Sequence, residues 1–166
     1  MNKRKLQNID LSFIKKDYFQ SKIREYINFI FTQELNIRGI LLFGSVARGE
    51  EVINQEKVSD IDMIIVCDEL PDNLKKRREY ISNLTNSVNS NIQTLWWTSE
   101  EIKENLEEKF HLLLDALDEG KILFDKDNFL HQLRKKMFLD LAKKGVIKTE
   151  MYWQWPIKKF GDKIEF

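Results

Sequence analysis

Two carboxylates one residue apart, Asp60 and Asp62, stand at an otherwise apolar stretch that runs on as Met63-Ile64-Ile65-Val66. On an extended chain alternate side chains share a face, about 6.6 Å apart along the backbone. Carboxylates so placed can converge on one Mg²⁺, or on two ions roughly 3.5–4 Å apart. Mg²⁺ favours one or two carboxylates completed by substrate phosphates and water. Charges in a buried strand are costly unless they are paired or hold a metal. An apolar run from Ile37 to Phe43 ends at Gly44-Ser45, with fourteen residues between Ser45 and Asp60. Gly44 lets a phosphate come close to the backbone, Ser45 offers a hydroxyl donor, and a helical turn opening there presents unpaired N–H groups. A phosphate cradle at the end of one strand, beside two metal-binding carboxylates on the next, is equipment for metal-assisted nucleotidyl transfer. Arg48 is a further candidate for phosphate or acceptor contact; its plainer role is a surface charge balancing Glu50 and Glu51.

The pair alone proves little, because twelve Asp among 166 residues produce about one D-x-D by chance. Asp125-Lys126-Asp127 is an internal control: it lies in a polar turn ahead of a helical pattern and reads as a cap. What distinguishes Asp60 and Asp62 is the apolar strand around them and the Gly-Ser turn before it.

The elements that must position these residues follow from hydrophobic spacing. Phe19, Ile23, Tyr26, Ile27, Ile30 and Leu35 recur at three and four, predicting one amphipathic helix within residues 12–35. Ile37–Phe43 and Val58–Cys67 read as buried strands. Pro71-Asp72 opens a helix carrying Leu74, Ile81, Leu84 and Val88, and Ile92–Trp97 is a third strand. Thr98 with Glu101 forms a capping box for a helix that runs to Gly120. A short extended piece, Lys121–Phe124, precedes a last helix ending at Gly145 and an aromatic tail with Trp153, Trp155, Phe160 and Phe166. Helices alternating with short apolar strands mean an α/β fold, with a small mixed β-sheet of three to four strands flanked by helices. The expected organisation is a single domain over 1–166, with its core at about 17–125 and a C-terminal helix and tail over 127–166. No dinucleotide or P-loop glycine pattern is present.

Composition narrows the class. Lys plus Arg and Asp plus Glu are 27 each, so zero net charge gives no footing for non-specific nucleic-acid binding. One Cys and two His exclude a Cys/His metal cage and an internal disulfide, which fits a cytoplasmic protein. No run approaches the roughly 18 apolar residues of a membrane span. His111 and His131 read as structural and Cys67 as a small buried hydrophobe. Lys75, Lys76, Arg77 and Arg78 read as a solvated basic face.

The string from Gly39 to Val66 resembles the nucleotide-binding core of the DNA polymerase β-like nucleotidyltransferase superfamily, in its minimal nucleotidyltransferase branch. The family pattern is an apolar strand, Gly-Ser, about ten residues, then Asp-x-Asp in a second apolar strand. It is matched by Leu41-Leu42-Phe43-Gly44-Ser45 and Ser59-Asp60-Ile61-Asp62, with Ala47-Arg48-Gly49-Glu50 matching the frequent A-R-G-E. The resemblance implies that Asp60 and Asp62 bind Mg²⁺, in a one- or two-metal site, and that Gly44 and Ser45 hold the triphosphate of an NTP. The reaction implied is transfer of a nucleoside monophosphate to an acceptor hydroxyl with release of pyrophosphate.

Two departures from the pattern stand out. The Gly-Ser to Asp gap is about four residues longer than usual, and a loop insertion over Val52–Lys57 would absorb it. Active members usually carry another Asp on a later strand; here Asn91-Ile92-Gln93-Thr94-Leu95-Trp96-Trp97 has no acid. Many small relatives are antitoxins paired with HEPN toxins, some of which adenylylate the toxin. No R-x₄₋₆-H motif of a HEPN ribonuclease occurs, so this chain takes the transferase half. The expected function is thus AMP transfer from ATP to an acceptor hydroxyl, with a HEPN-type toxin as partner. The alternative is a catalytically silent NTP-binding antitoxin that regulates a partner by contact. A homo-oligomer is compatible with either reading.

Overall fold

The computed structural model describes residues 9–86, 88, 91–150 and 152–156. In chain order they form α1 (Asp17–Thr32), β1 (Ile37–Phe43), α2 (Gly44–Arg48), β2 (Ile61–Cys67), α3 (Leu74–Thr85) and β3 (Ile92–Trp97). There follow α4 (Ser99–Glu107), α5 (His111–Glu119), β4 (Lys121–Asp125), α6 (Phe129–Lys143) and a two-stranded hairpin of β5 (Ile147–Lys148) and β6 (Trp153–Gln154). The main sheet runs β3-β2-β1-β4. β1 is antiparallel to both β2 and β4, and β2 is parallel to β3. The fold is the mixed four-stranded α/β arrangement that the sequence predicts.

Period-two alternation divides the sheet into two faces. Ile40 and Leu42 of β1, with Ile61, Met63 and Ile65 of β2, join Ile23 and Ile27 of α1 in one buried cluster. Leu41, Ile64 and Val66 point the other way and pack on α4, α5 and α6 through Ile102, Leu114 and Leu130. Each fully buried Leu or Ile of these layers contributes about 1.5–3 kcal/mol. Asp62 has the parity of Ile64 and Val66, so the backbone aims it at the side of the sheet that α5 covers.

Several boundaries differ from the sequence reading, each for a physical reason. The first helix starts at Asp17, because the buried Glu51 carboxylate accepts the N–H groups of Lys15 (2.7 Å) and Lys16 (3.1 Å) just ahead of it. The third begins at Leu74 instead of at Pro71-Asp72, since Asn73 is the cap, its Oδ1 accepting from Lys76 N–H at 3.1 Å. The β2 ladder begins at Ile61; Val58 bridges Ile53 and closes a small hairpin whose turn is tied by Asn54. That hairpin absorbs the long gap between Ser45 and Asp60.

The single helix expected from Thr98 to Gly120 is two. Lys109 adopts a left-handed backbone (φ 56°) between α4 and α5. Its ammonium is buried against Asp140 of α6 at 2.5 Å and donates to the Leu106 carbonyl at 3.3 Å. The capping box at Thr98 and Glu101 forms as expected, and Gly120 ends α5. A side chain at Gly120 would put a Cβ 2.2 Å from the Ala116 carbonyl and 2.7 Å from that of Leu42, so helix and strand meet there only over glycine.

Arg77 does not belong to a solvated face: it is buried, pairing with both carboxylate oxygens of Glu101 at 2.8 and 2.7 Å. Of the aromatic tail, Trp153 is buried and Trp155 partly so, whereas Tyr152 is exposed. Phe160, Gly161 and Phe166 lie outside the described residues. Among the described residues no helix is long and apolar enough to cross a membrane.

Candidate active site

β1 and β2 end together. Phe43, the last residue of β1, stands opposite Asp62 in the antiparallel ladder, so the chain leaves the sheet at Gly44 directly beside that carboxylate. Gly44 has φ +74°, a left-handed backbone that only glycine adopts freely. An added Cβ would lie 2.5 Å from Asp62 Oδ2. The Gly-Ser turn and the Asp-x-Asp strand therefore touch, and a methyl group would fill the space that separates them.

Asp60 is exposed and lies just before β2; Asp62 is half-buried inside it. Burial pushes the Asp62 carboxyl above its ordinary value, and the negative charge of Asp60 pushes it further. β2 and β3 pair in parallel register with Asp62 opposite Gln93. Gln93 Nε2 donates to Asp60 Oδ2 at 2.9 Å. Asp62 against the Gly44 turn, with Asp60 two residues earlier in the chain, fits an ion such as Mg²⁺, which needs few protein ligands when a polyphosphate supplies the rest. Among the described residues no group of three or more His, Cys, Asp or Glu side chains could hold a metal ion by itself.

Ser45 and Arg48 fall on α2, which leaves the sheet at Gly44. The Arg48 guanidinium donates to Glu50 at 2.8 Å and to Glu119 of α5 at 3.4 Å. The expected balance with Glu51 is absent, since Glu51 is buried and turned toward the start of α1. An open cleft of about 390 Å³ is lined by Phe43, Gly44 and Arg48 on one side and by Leu112, Asp115, Ala116 and Glu119 of α5 on the other. The structure thus brings Gly44, Arg48 and α5 to one cleft and sets Asp62 against Gly44.

Sequence reasoning passes over Gln93, Asp115 and Glu119. Gln93 is reached only through the register of a parallel neighbour, and local spacing does not encode that register. Asp115 and Glu119 carry an i, i+4 signal on α5, yet nothing in their spacing tells that α5 faces the Gly44 turn.

The remaining candidates resolve as structural. Asp125 caps α6, its carboxylate accepting the N–H groups of Leu130 (2.8 Å) and His131 (3.1 Å) and meeting His131 Nδ1 at 2.5 Å. Cys67 is buried and unpaired, and burial, with the nearby acids Glu69 and Asp68, pushes its thiol up to about 11. His111 packs edge-on to Trp155 with ring centroids 5.7 Å apart.

The polymerase beta nucleotidyltransferase family matches residues 25–129, well over half of the chain and all of the β1–β4 sheet. No curated protein matches the chain. Among solved structures, a chain of a toxin–antitoxin crystallised with AMP-PNP is 21% identical, with 75% of this chain and 91% of that one covered at a TM-score of 0.48. A chain of the toxin–antitoxin MntA-HepT is 18% identical, over 76% and 92%, with a TM-score of 0.46. A chain of the complex between the tri-AMPylated Shewanella oneidensis HEPN toxin and its MNT antitoxin is 16% identical, over 76% and 92%, at 0.43. On the match across residues 25–129, the chain belongs to the polymerase beta nucleotidyltransferase family.

Proposed function

We propose that the protein transfers a nucleoside monophosphate, AMP from ATP, to a hydroxyl of a protein acceptor in the cytoplasm. The observation that carries this reading is the contact of the Gly44 turn with Asp62, which sets a left-handed glycine at the end of β1 against one carboxylate of the D-x-D pair. Asp60 and Asp62 are the ligands for Mg²⁺, and Gly44 and Ser45 receive the triphosphate. When bound, the ion supplies positive charge to offset the charge of the transferred phosphoryl group. Arg48, paired with Glu50 and Glu119 at the same cleft, is the donor that would exchange a carboxylate for a phosphate oxygen. In the transfer, the acceptor oxygen forms a bond to the α-phosphorus and gives up its hydroxyl proton to solvent water, the bond from that phosphorus to the bridging oxygen breaks, and pyrophosphate leaves. Positioning supplies most of what remains of the barrier reduction.

The acceptor class rests on the sequence resemblance to minimal nucleotidyltransferases: a HEPN-type toxin, for which this chain is the antitoxin. A second reading, a silent NTP-binding antitoxin acting by contact, is favoured by one observation. The strand position opposite Asp62 holds the amide Gln93 where a third acid would serve to deprotonate the acceptor.

Calorimetric titration with Mg²⁺ and ATP tests the site. Binding by the wild type, lost in the Asp60→Asn/Asp62→Asn double variant, is the expected result. No binding by the folded wild type overturns the reading. ATP labelled in its α-phosphate then separates the two functions: label transferred to a co-purified partner identifies the enzyme, and binding without transfer the silent antitoxin.

A further inference from the structure

We infer that Gln93 is the positioning residue of the carboxylate pair, fixing Asp60 through its amide while adding no charge of its own beside Asp62. The inference rests on the reading of Asp60 and Asp62 as divalent-cation ligands. Ladder pairing puts Gln93 opposite Asp62 on the neighbouring parallel strand, and paired residues present their side chains to the same face. The register is pinned where the two strands begin, by Ile61 N–H donating to the Asn91 carbonyl at 2.7 Å. From there Gln93 reaches diagonally, and its Nε2 donates to Asp60 Oδ2 at 2.9 Å.

That bond restricts the rotation of an exposed carboxylate that precedes the strand and has no ladder of its own to steady it. One Asp60 oxygen is engaged, so the other is presented in a fixed direction. Outer partners of this kind orient ligating carboxylates, and their loss typically costs 10–100-fold in metal affinity. Gln93 is a donor without charge. The site therefore offers two negative groups to a cation where a carboxylate at the same place would offer three.

The chemistry of residue 93 thus makes two predictions of opposite sign. Gln93→Leu removes the donor and leaves Asp60 free to rotate. Gln93→Glu, nearly isosteric, replaces the donor with a third carboxylate. The test is Mn²⁺ titration of the full chain, without nucleotide and again with ATP, by calorimetry and by the loss of the free-ion electron paramagnetic resonance signal, the variants being compared under whichever condition loads the wild type, with metal-free melting temperatures alongside. The expected result is a single Mn²⁺ on the wild type, affinity about 10–100-fold weaker in Gln93→Leu, and tighter binding in Gln93→Glu. Because Gln93 is exposed, Gln93→Leu melts with the wild type, which a purely structural role for the bond does not allow together with lost affinity. Unchanged Mn²⁺ affinity in Gln93→Leu, or no tightening in Gln93→Glu, overturns the inference and leaves the cation site standing. A wild type that binds neither Mn²⁺ nor Mn²⁺ with ATP overturns the cation reading, and the role of Gln93 with it.

Discussion

Asp62 carries a carboxyl group whose charge the fold itself disfavours. Burial and the charge of Asp60 raise its proton affinity in the folded chain above that in the unfolded one. A raised carboxyl contributes stability that is full below its unfolded value and is lost as pH rises through its folded value. At neutral pH the metal-free protein therefore carries the cost of an ionised Asp62. Asp62→Asn should melt higher than the wild type at pH 7 without divalent ions, the gap closing as pH falls toward 4; thermal denaturation across that range checks it. With Mg²⁺ and ATP present the order should reverse, because only the wild type gains from binding. Gly44→Ala probes the other side of the contact. A left-handed backbone costs a non-glycine residue about 1–2 kcal/mol, and the new methyl would displace Asp62 from its place 2.5 Å away. A modest loss in urea stability with at least a tenfold loss of ATP affinity is expected, read by denaturation and calorimetry. That Gly44 and Asp62 touch was not readable in the sequence, but each as a feature of a local pattern was: a turn glycine at a strand end and an acid in an apolar strand. Gln93 was not, since its meaning depends on which residue of another strand it faces.

Caps and paired charges decide where the elements start and stop. Asp125 and Asp60 head the two D-x-D strings of the chain, and the structure gives Asp125 a structural task. Asp125→Ala removes the acceptor for the first N–H groups of α6, a change that costs about 0.5–2 kcal/mol at a helix cap. ATP affinity should stay at the wild-type value in that variant, whereas Asp60→Ala should do the reverse. Glu101 is a more severe case. It completes the capping box of α4 and also neutralises the buried Arg77 of α3, whose Nε donates to the Pro71 carbonyl at 2.8 Å. Glu101→Ala leaves a buried guanidinium without its carboxylate, a situation that costs about 3–5 kcal/mol, to be measured as a shift of the urea midpoint. The capping box was legible, as a Thr three residues ahead of a Glu. Its second duty was not, because Arg77 read as one of four consecutive basic residues. The break between α4 and α5 escaped for the same reason. Hydrophobic spacing continues across Lys109, and the partner that draws its ammonium inward, Asp140, is thirty-one residues away.

At the scale of the whole molecule, the C-terminal hairpin is fastened to the helix that forms one wall of the Gly44–Arg48 cleft. Lys148 of β5 lies 2.6 Å from Asp115, 3.5 Å from Asp118 and 3.3 Å from Glu119, all on α5, and its ammonium sits 4.7 Å from the centroid of the Trp153 ring. Trp153 in turn donates its indole N–H to Asp115 at 3.0 Å. Asp115 and Glu119 also line the cleft with Gly44 and Arg48. The hairpin thus carries a cation that offsets acids in the wall of that cleft, which on the proposed function a triphosphate approaches. Trp153→Ala tests the packing: removing a buried tryptophan costs about 3–5 kcal/mol and should release β5 and β6 to fast amide exchange. Lys148→Met tests the charge, since it keeps an apolar stem on Trp153 and deletes only the ammonium. Three acids then lose their shared counter-charge, and the cleft becomes more negative toward ATP. ATP affinity of Lys148→Met should fall several-fold at low ionic strength. The deficit should shrink toward 1 M salt, where the screening length drops from about 10 Å to about 3 Å. A deficit that persists unchanged in high salt would mean that the hairpin acts on the cleft through shape and not through charge.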